Sequence, residues 1–218
     1  MPPLATRLAA EAIGTAFLLA TIVGSGIMGE RLSEGNAAIA LLANSLATGF
    51  ALYALIVTLA PISGAHFNPL VSASLAWQRE MTWRDAWKYA AVQVPAAFAG
   101  VAAAHLMFAE PLLSASTKIR AGPSQWWSEV VATFGLVLIV GICARLRLAA
   151  APAAVATYIA AAYWFTASTS FANPAVTLAR AASNTFAGIQ PYDVPAFVAA
   201  QIVGAALATL LARVLSAR

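Results

Sequence analysis

The sequence predicts an all-α membrane protein built as an inverted repeat, with six transmembrane helices and two re-entrant half-helices. Three observations carry this: charge is scarce, the charges present are unevenly spaced, and a set of short motifs occurs twice in the same order. Of 218 residues, 61% are hydrophobic and 9% charged, and the mean hydropathy is +0.80. A soluble domain carries about 25% charged residues, which argues against a soluble enzyme. At about 20 apolar residues per span, the chain holds roughly six crossings and no separate soluble domain. One domain over residues 1–218 is expected, with repeat one at about 1–110 and repeat two at about 120–218.

The intervals between charges place the elements. Residues 12–29, 89–109, 130–144 and 194–212 carry no Asp, Glu, Lys or Arg, and each suits one span. Arg7 before the first of these gives a signal-peptide look. Glu11 interrupts the apolar run, however, and no small-residue cleavage site follows, so it reads as a retained first span. Two gaps are of another size: 44 residues from Gly35 to Gln78 and 32 from Leu148 to Ala179. Each is too long for one helix and too short for two crossings with a turn, so each reads as one span plus a half-length helix.

Proline and glycine locate the breaks. In the first long gap Pro61-Ile62-Ser63-Gly64-Ala65-His66-Phe67-Asn68-Pro69 ends a span and starts a new helix, and Ser168-Thr169-Ser170-Phe171-Ala172-Asn173-Pro174 does so in the second. Asn directly before Pro is a helix-start signal, because the Asn side chain caps free N–H groups and Pro suits the first helical position. Irregular backbone at membrane depth survives only inside protein or along a water-filled cavity. Two such segments point to a pore or a binding site.

The halves correspond. Glu11-Ala12-Ile13-Gly14-Thr15, Asn68-Pro69-Leu70-Val71 and Gln93 are followed in order by Glu129-Val130-Val131-Ala132-Thr133, Asn173-Pro174-Ala175-Val176 and Gln201. Three spans per repeat is an odd number, so the second copy lies upside down and the two Asn-Pro segments meet near the midplane. With the N-terminus inside, Arg7, Arg79, Arg84, Lys88, Arg145, Arg147, Arg213 and Arg218 fall on the cytoplasmic side. Arg31, Lys118, Arg120 and Arg180 fall on the other. The asymmetry places both termini in the cytoplasm.

The net charge of +4 and pI near 9.6 arise from basic residues spread thinly between apolar runs, with no patch for nucleic acid. Trp83, Trp87, Trp126 and Trp127 suit interfacial anchoring at span ends. Cys143, the single cysteine, reads as a buried structural thiol. No cofactor, metal or enzymatic motif is expected.

Ser63-Gly64-Ala65-His66-Phe67-Asn68-Pro69-Leu70-Val71 and Ser170-Phe171-Ala172-Asn173-Pro174-Ala175-Val176 resemble the paired Asn-Pro-Ala signatures of the aquaporin, or major intrinsic protein, family. The resemblance covers essentially the whole chain. It implies a homotetramer with one pore per protomer, Asn68 and Asn173 offering amide donors at the pore centre and Pro69 and Pro174 packing together. It gives Glu11 and Glu129 the support of the re-entrant loops, and His66 a loop-stabilising or pore-lining role. Leu70 stands where the family has Ala, placing a larger side chain near the pore centre or just behind it, and Ala175 keeps the pattern in the second signature.

The larger departure is Val176. Most of the family carries Arg directly after the second signature, as part of a narrow outer filter. Counting back along the family's pattern puts the other filter positions at Thr48, Ala161 and Ser170. Without the guanidinium, the expected constriction is wider and partly apolar, with hydroxyls from Thr48 and Ser170. Thr177, where glycerol facilitators have Asp, argues against a specialised glycerol channel. Arg180, one helical turn beyond Val176, reads as a surface charge, the alternative being that it reaches the pore mouth.

With Gly24-Ser25-Gly26-Ile27-Met28, this filter resembles bacterial aquaporins associated with arsenic resistance. The resemblance implies passive passage of arsenite and methylated arsenicals, with water and glycerol also permeant, in a bacterial inner membrane. Two other readings stay open: a water or glycerol channel with no arsenic role, and an ion-coupled secondary transporter, since broken helices in inverted repeats also occur there.

Overall fold

The computed structural model describes residues 2–146 and 148–215. Arg147 and Arg218, counted above for orientation, lie outside the described residues. In chain order the helices are α1 (Leu4–Leu32), α2 (Ala37–Ser63), α3 (Pro69–Trp77), α4 (Trp83–Phe108), α5 (Pro123–Leu146), α6 (Ala151–Phe165), α7 (Pro174–Arg180) and α8 (Val194–Leu215). Five of them, α8 being taken with the turn at Pro191–Asp193 that leads into it, are long and apolar enough to cross a membrane. The half-helices α3 and α7 stand where the two Asn-Pro motifs put them.

The sixth crossing is shorter than expected. α6 has 15 residues, or about 23 Å at 1.5 Å per residue, against roughly 30 Å of hydrocarbon. A 3-10 turn at Leu148–Ala150 precedes it. At its other end Thr166 turns to extended backbone, its hydroxyl donating back to the Ala162 carbonyl at 2.7 Å, and the chain drops into the membrane toward α7.

The repeats pack alike. α1 lies against α4 and α5 against α8, the two most extensive helix pairs. Both crossings are close because glycine sits at the contact. A Cβ on Gly100 would run into the backbone carbonyl of Ala16, and one on Gly204 into that of Val130. Small residues at membrane helix crossings let backbones approach and gain van der Waals contact. Gly100→Val should therefore force α1 and α4 apart and lower stability by about 1–3 kcal/mol, read as a lower midpoint in detergent-denaturation of the purified protein; an unchanged midpoint would contradict this packing.

Outward faces are apolar, as lipid requires. On α2, Ile39, Leu42, Leu46, Phe50, Tyr53 and Val57 form one exposed stripe at spacings of three and four. Trp83 and Trp87 in the first turns of α4, and Trp126 and Trp127 in those of α5, are exposed at helix ends. On the side bearing the termini, Arg7 pairs with Asp85 at 2.9 Å and Arg145 with Glu80 at 3.1 Å. Such partly exposed pairs fix geometry more than they add stability.

Candidate pore and constriction

An elongated cavity of about 200 Å³ runs between the two repeats. Its walls are built from helical rows four residues apart, which lie on one helix face. These are Thr48, Leu52 and Ile56 on α2, Leu136, Val140 and Ala144 on α5, and Ala151, Val155, Ile159 and Tyr163 on α6, completed by Leu18 and Ile22 on α1. The half-helices and their loops complete the wall, with His66, Phe67, Asn68 and Val71 from one repeat and Ser170, Phe171, Asn173 and Val176 from the other.

The loops before the half-helices are strained in matching ways. Gly64, Ala65 and Phe67 have φ of 94°, 52° and 50°, and Thr169, Ser170 and Ala172 have 61°, 52° and 50°. Left-handed non-glycine residues cost free energy and persist only where surrounding contacts over-determine them. Here a buried carboxylate does so in each repeat. Glu11 accepts from the backbone N–H groups of His66 (2.9 Å) and Phe67 (2.7 Å), from Ser63 Oγ (2.6 Å) and from Gln93 Nε2 (2.8 Å). Glu129 accepts from the N–H groups of Phe171 and Ala172, both at 2.9 Å, and from Gln201 Nε2 at 2.6 Å. Both glutamates have no exposed surface.

The asparagines join the loops to each other. Asn68 Nδ2 donates to the Ala172 carbonyl and Asn173 Nδ2 to the Phe67 carbonyl, each at 2.8 Å. Each Oδ1 caps its own half-helix, accepting from Leu70 N at 2.9 Å and from Ala175 N at 3.0 Å. An amide nitrogen carries two hydrogens, so each Asn keeps a second donor for the cavity both side chains line. His66 Nδ1 lies 2.9 Å from Ser72 Oγ, with its ring against Tyr89, so it ties its loop to α3 as well as lining the cavity.

A family model described as "Major intrinsic protein" matches residues 2–147. Aquaglyceroporin AqpS of Rhizobium meliloti (strain 1021) is 53% identical over 210 residues, 96% of this chain and 90% of that protein. The chain belongs to the major intrinsic protein family. Among plant relatives, aquaporin NIP2-3 of Zea mays is 31% identical over 88% of this chain and 65% of its own length. The aquaglyceroporin from Plasmodium falciparum superposes with a TM-score of 0.78 over 98% of this chain and 97% of its own, at 19% identity, a likeness of fold. Major intrinsic proteins are multi-pass membrane channels and not enzymes.

Within this family member, three of the four counted filter positions line the cavity: Thr48, Ser170 and Val176. Ala161 does not. It is exposed on the outer face of α6, two residues and about 200° of helical rotation from Ile159, whereas Tyr163, one turn beyond Ile159, is buried with its hydroxyl 3.2 Å from Thr48 Oγ1. Thr48, Tyr163, Ser170 and Val176 thus stand together on the cavity wall. Leu70 sits behind the pore, packed against the cluster of Val137, Ala205 and Ala208 between α5 and α8.

Arg180 is not a surface charge. It is 2% exposed and lines the cavity, with its guanidinium 3.4 Å from the centre of the Phe171 ring. Its Nε donates to the Ala187 carbonyl, while Nη1 is buried with no partner. Arg120 also faces Phe171, at 4.9 Å, and donates to the carbonyls of Gly188 (2.8 Å) and Ser168 (3.2 Å). Burial pushes Arg120 down to about 10, with Glu129 acting in the opposite sense, so it stays charged at neutral pH. Arg120, Phe171 and Tyr163 were not singled out from the sequence; the row Ala151, Val155, Ile159, Tyr163 was the available signal for the last.

Proposed function

We propose that the chain is a passive channel for small uncharged solutes, with arsenite and methylated arsenicals foremost and water and glycerol also permeant. The observation that carries this is Val176 on the cavity wall, where most of the family has Arg. Together with Thr48, Tyr163 and Ser170 it forms a wall of mixed hydroxyl and hydrocarbon character, suited to a neutral trihydroxide or polyol that exchanges part of its hydration for hydroxyl contacts. The likeness to an aquaglyceroporin at 53% identity supports the solute class.

In this reading Asn68 and Asn173 donate to the solute at the pore centre, Pro69 and Pro174 start the half-helices behind them, and Glu11, Glu129 and His66 hold the loops. Coupled transport normally needs ionisable residues near the midplane that are free to exchange an ion. Glu11 and Glu129 instead have both oxygens occupied by loop and glutamine donors, which favours a channel. The proposal includes a homotetramer in a bacterial inner membrane with both termini cytoplasmic; native mass spectrometry should find four chains. Proteoliposomes should take up arsenite and glycerol faster than empty vesicles, with no dependence on a proton gradient. Arsenical uptake equal to that of empty vesicles would sink the substrate assignment.

A further inference from the structure

We propose that Arg180 is the pore's cation barrier and a solute-binding donor at the end remote from the termini. This deepens the channel reading and rests on it. Among the described residues lining the cavity, Arg180 carries the only formal charge, His66 and Tyr163 being the other titratable groups. The rest of the wall is hydrocarbon, hydroxyl and amide.

The side chain is held in place on one edge and unsatisfied on another. Nε is anchored to the Ala187 carbonyl and the guanidinium plane lies on Phe171, while Nη1 has no acceptor. Ser170 Oγ, on the same cavity, is likewise buried without a partner. Arg180 is itself on the cavity wall, so its guanidinium presents a planar, charged donor to a passing solute. A solute with several hydroxyl oxygens can accept from the guanidinium as it passes.

Glu129 is the nearby carboxylate, and it does not line the cavity. The guanidinium is therefore the charge that faces the passage. Arg120 adds a second positive charge on the same aromatic ring. A cation entering this apolar passage meets the guanidinium where water screening is weak. A filter with valine at 176 can thus be wide for neutral solutes and still closed to cations.

The test compares wild type with Arg180→Gln, whose amide can still donate to Ala187, and with Arg180→Lys, which keeps the charge. Water flux in the same vesicles reports assembly. We expect methylammonium permeability to rise about tenfold or more in Arg180→Gln, to stay at the wild-type level in Arg180→Lys, and glycerol flux to fall in both as the planar donor is lost. Arg180→Gln vesicles that conduct water and exclude methylammonium as wild type does would overturn the proposal. The wild-type channel gives a second measurement that needs no variant. Its residual leak in a potassium chloride gradient should reverse on the chloride side, and reversal on the potassium side would equally overturn it. Failure of the channel reading itself shows separately, as wild-type vesicles with no water or glycerol flux.

Discussion

Glu129→Ala should abolish solute flux while leaving the helices in place. The substitution strands three donors, Phe171 N, Ala172 N and Gln201 Nε2. Leaving a buried donor unsatisfied costs about 1–3 kcal/mol, and the left-handed residues Thr169, Ser170 and Ala172 lose the contact that offsets their strain. The sum approaches the roughly 5–15 kcal/mol that holds a whole domain. The cheapest escape is local: the loop refolds, Asn173 leaves Phe67, and the cavity closes or floods. Stopped-flow water and glycerol flux should fall at least about tenfold with the helical circular dichroism unchanged. Glu129→Gln should be milder, since Gln201 Oε1 has no partner and can turn to accept from the new amide. Glu11→Ala strands four donors and should be at least as damaging. Full flux in either alanine variant would remove the glutamates from loop support.

The parts of the fold that could be read in advance are those where membrane physics leaves one answer. Charge cannot sit in hydrocarbon cheaply, so the two long uncharged stretches located both half-helices, and Asn-Pro located their first turns within a residue. The paired glutamates were legible for the same reason, because a carboxylate at a span's start must find donors. Ala161 shows where the reading stopped. Counting back from Val176 assumes a fixed loop length, whereas α6 ends at Phe165 and its wall-facing row runs through Ile159 and Tyr163. Arg180 failed differently. A lone arginine near a helix end normally goes to water, and what holds this one inside, the Ala187 carbonyl, lies on a loop that folds back over it. That loop is itself pinned by long-range bonds, Gln190 N to the Lys118 carbonyl at 2.8 Å and Lys118 Nζ to the Phe186 carbonyl at 2.8 Å. No local pattern announces such contacts.

Val176→Arg should separate solutes by size. An arginine on this wall narrows the constriction and replaces hydrocarbon with fixed donors, so arsenite and glycerol flux should drop at least about tenfold while water flux falls no more than about threefold. Equal loss of both would contradict the placement of residue 176 in the constriction. The variant should also lose stability, for a reason particular to this chain. Residues 176 and 180 lie one turn apart on α7, with side chains about 5–6 Å from each other, and Arg180 already occupies that face. Two guanidinium groups at that distance repel by about 3 kcal/mol at an effective dielectric constant near 20. Val176→Arg alone should therefore give a lower yield of assembled channel, and adding Arg180→Gln should restore yield without restoring glycerol flux. If the single variant is as stable as wild type, the two charges do not share a wall, and the position of Arg180 in the pore is wrong. If the double variant recovers yield and stays narrow, valine at 176 and arginine at 180 are coupled choices: the pore holds one guanidinium, and its register along α7 sets how large a neutral solute can pass.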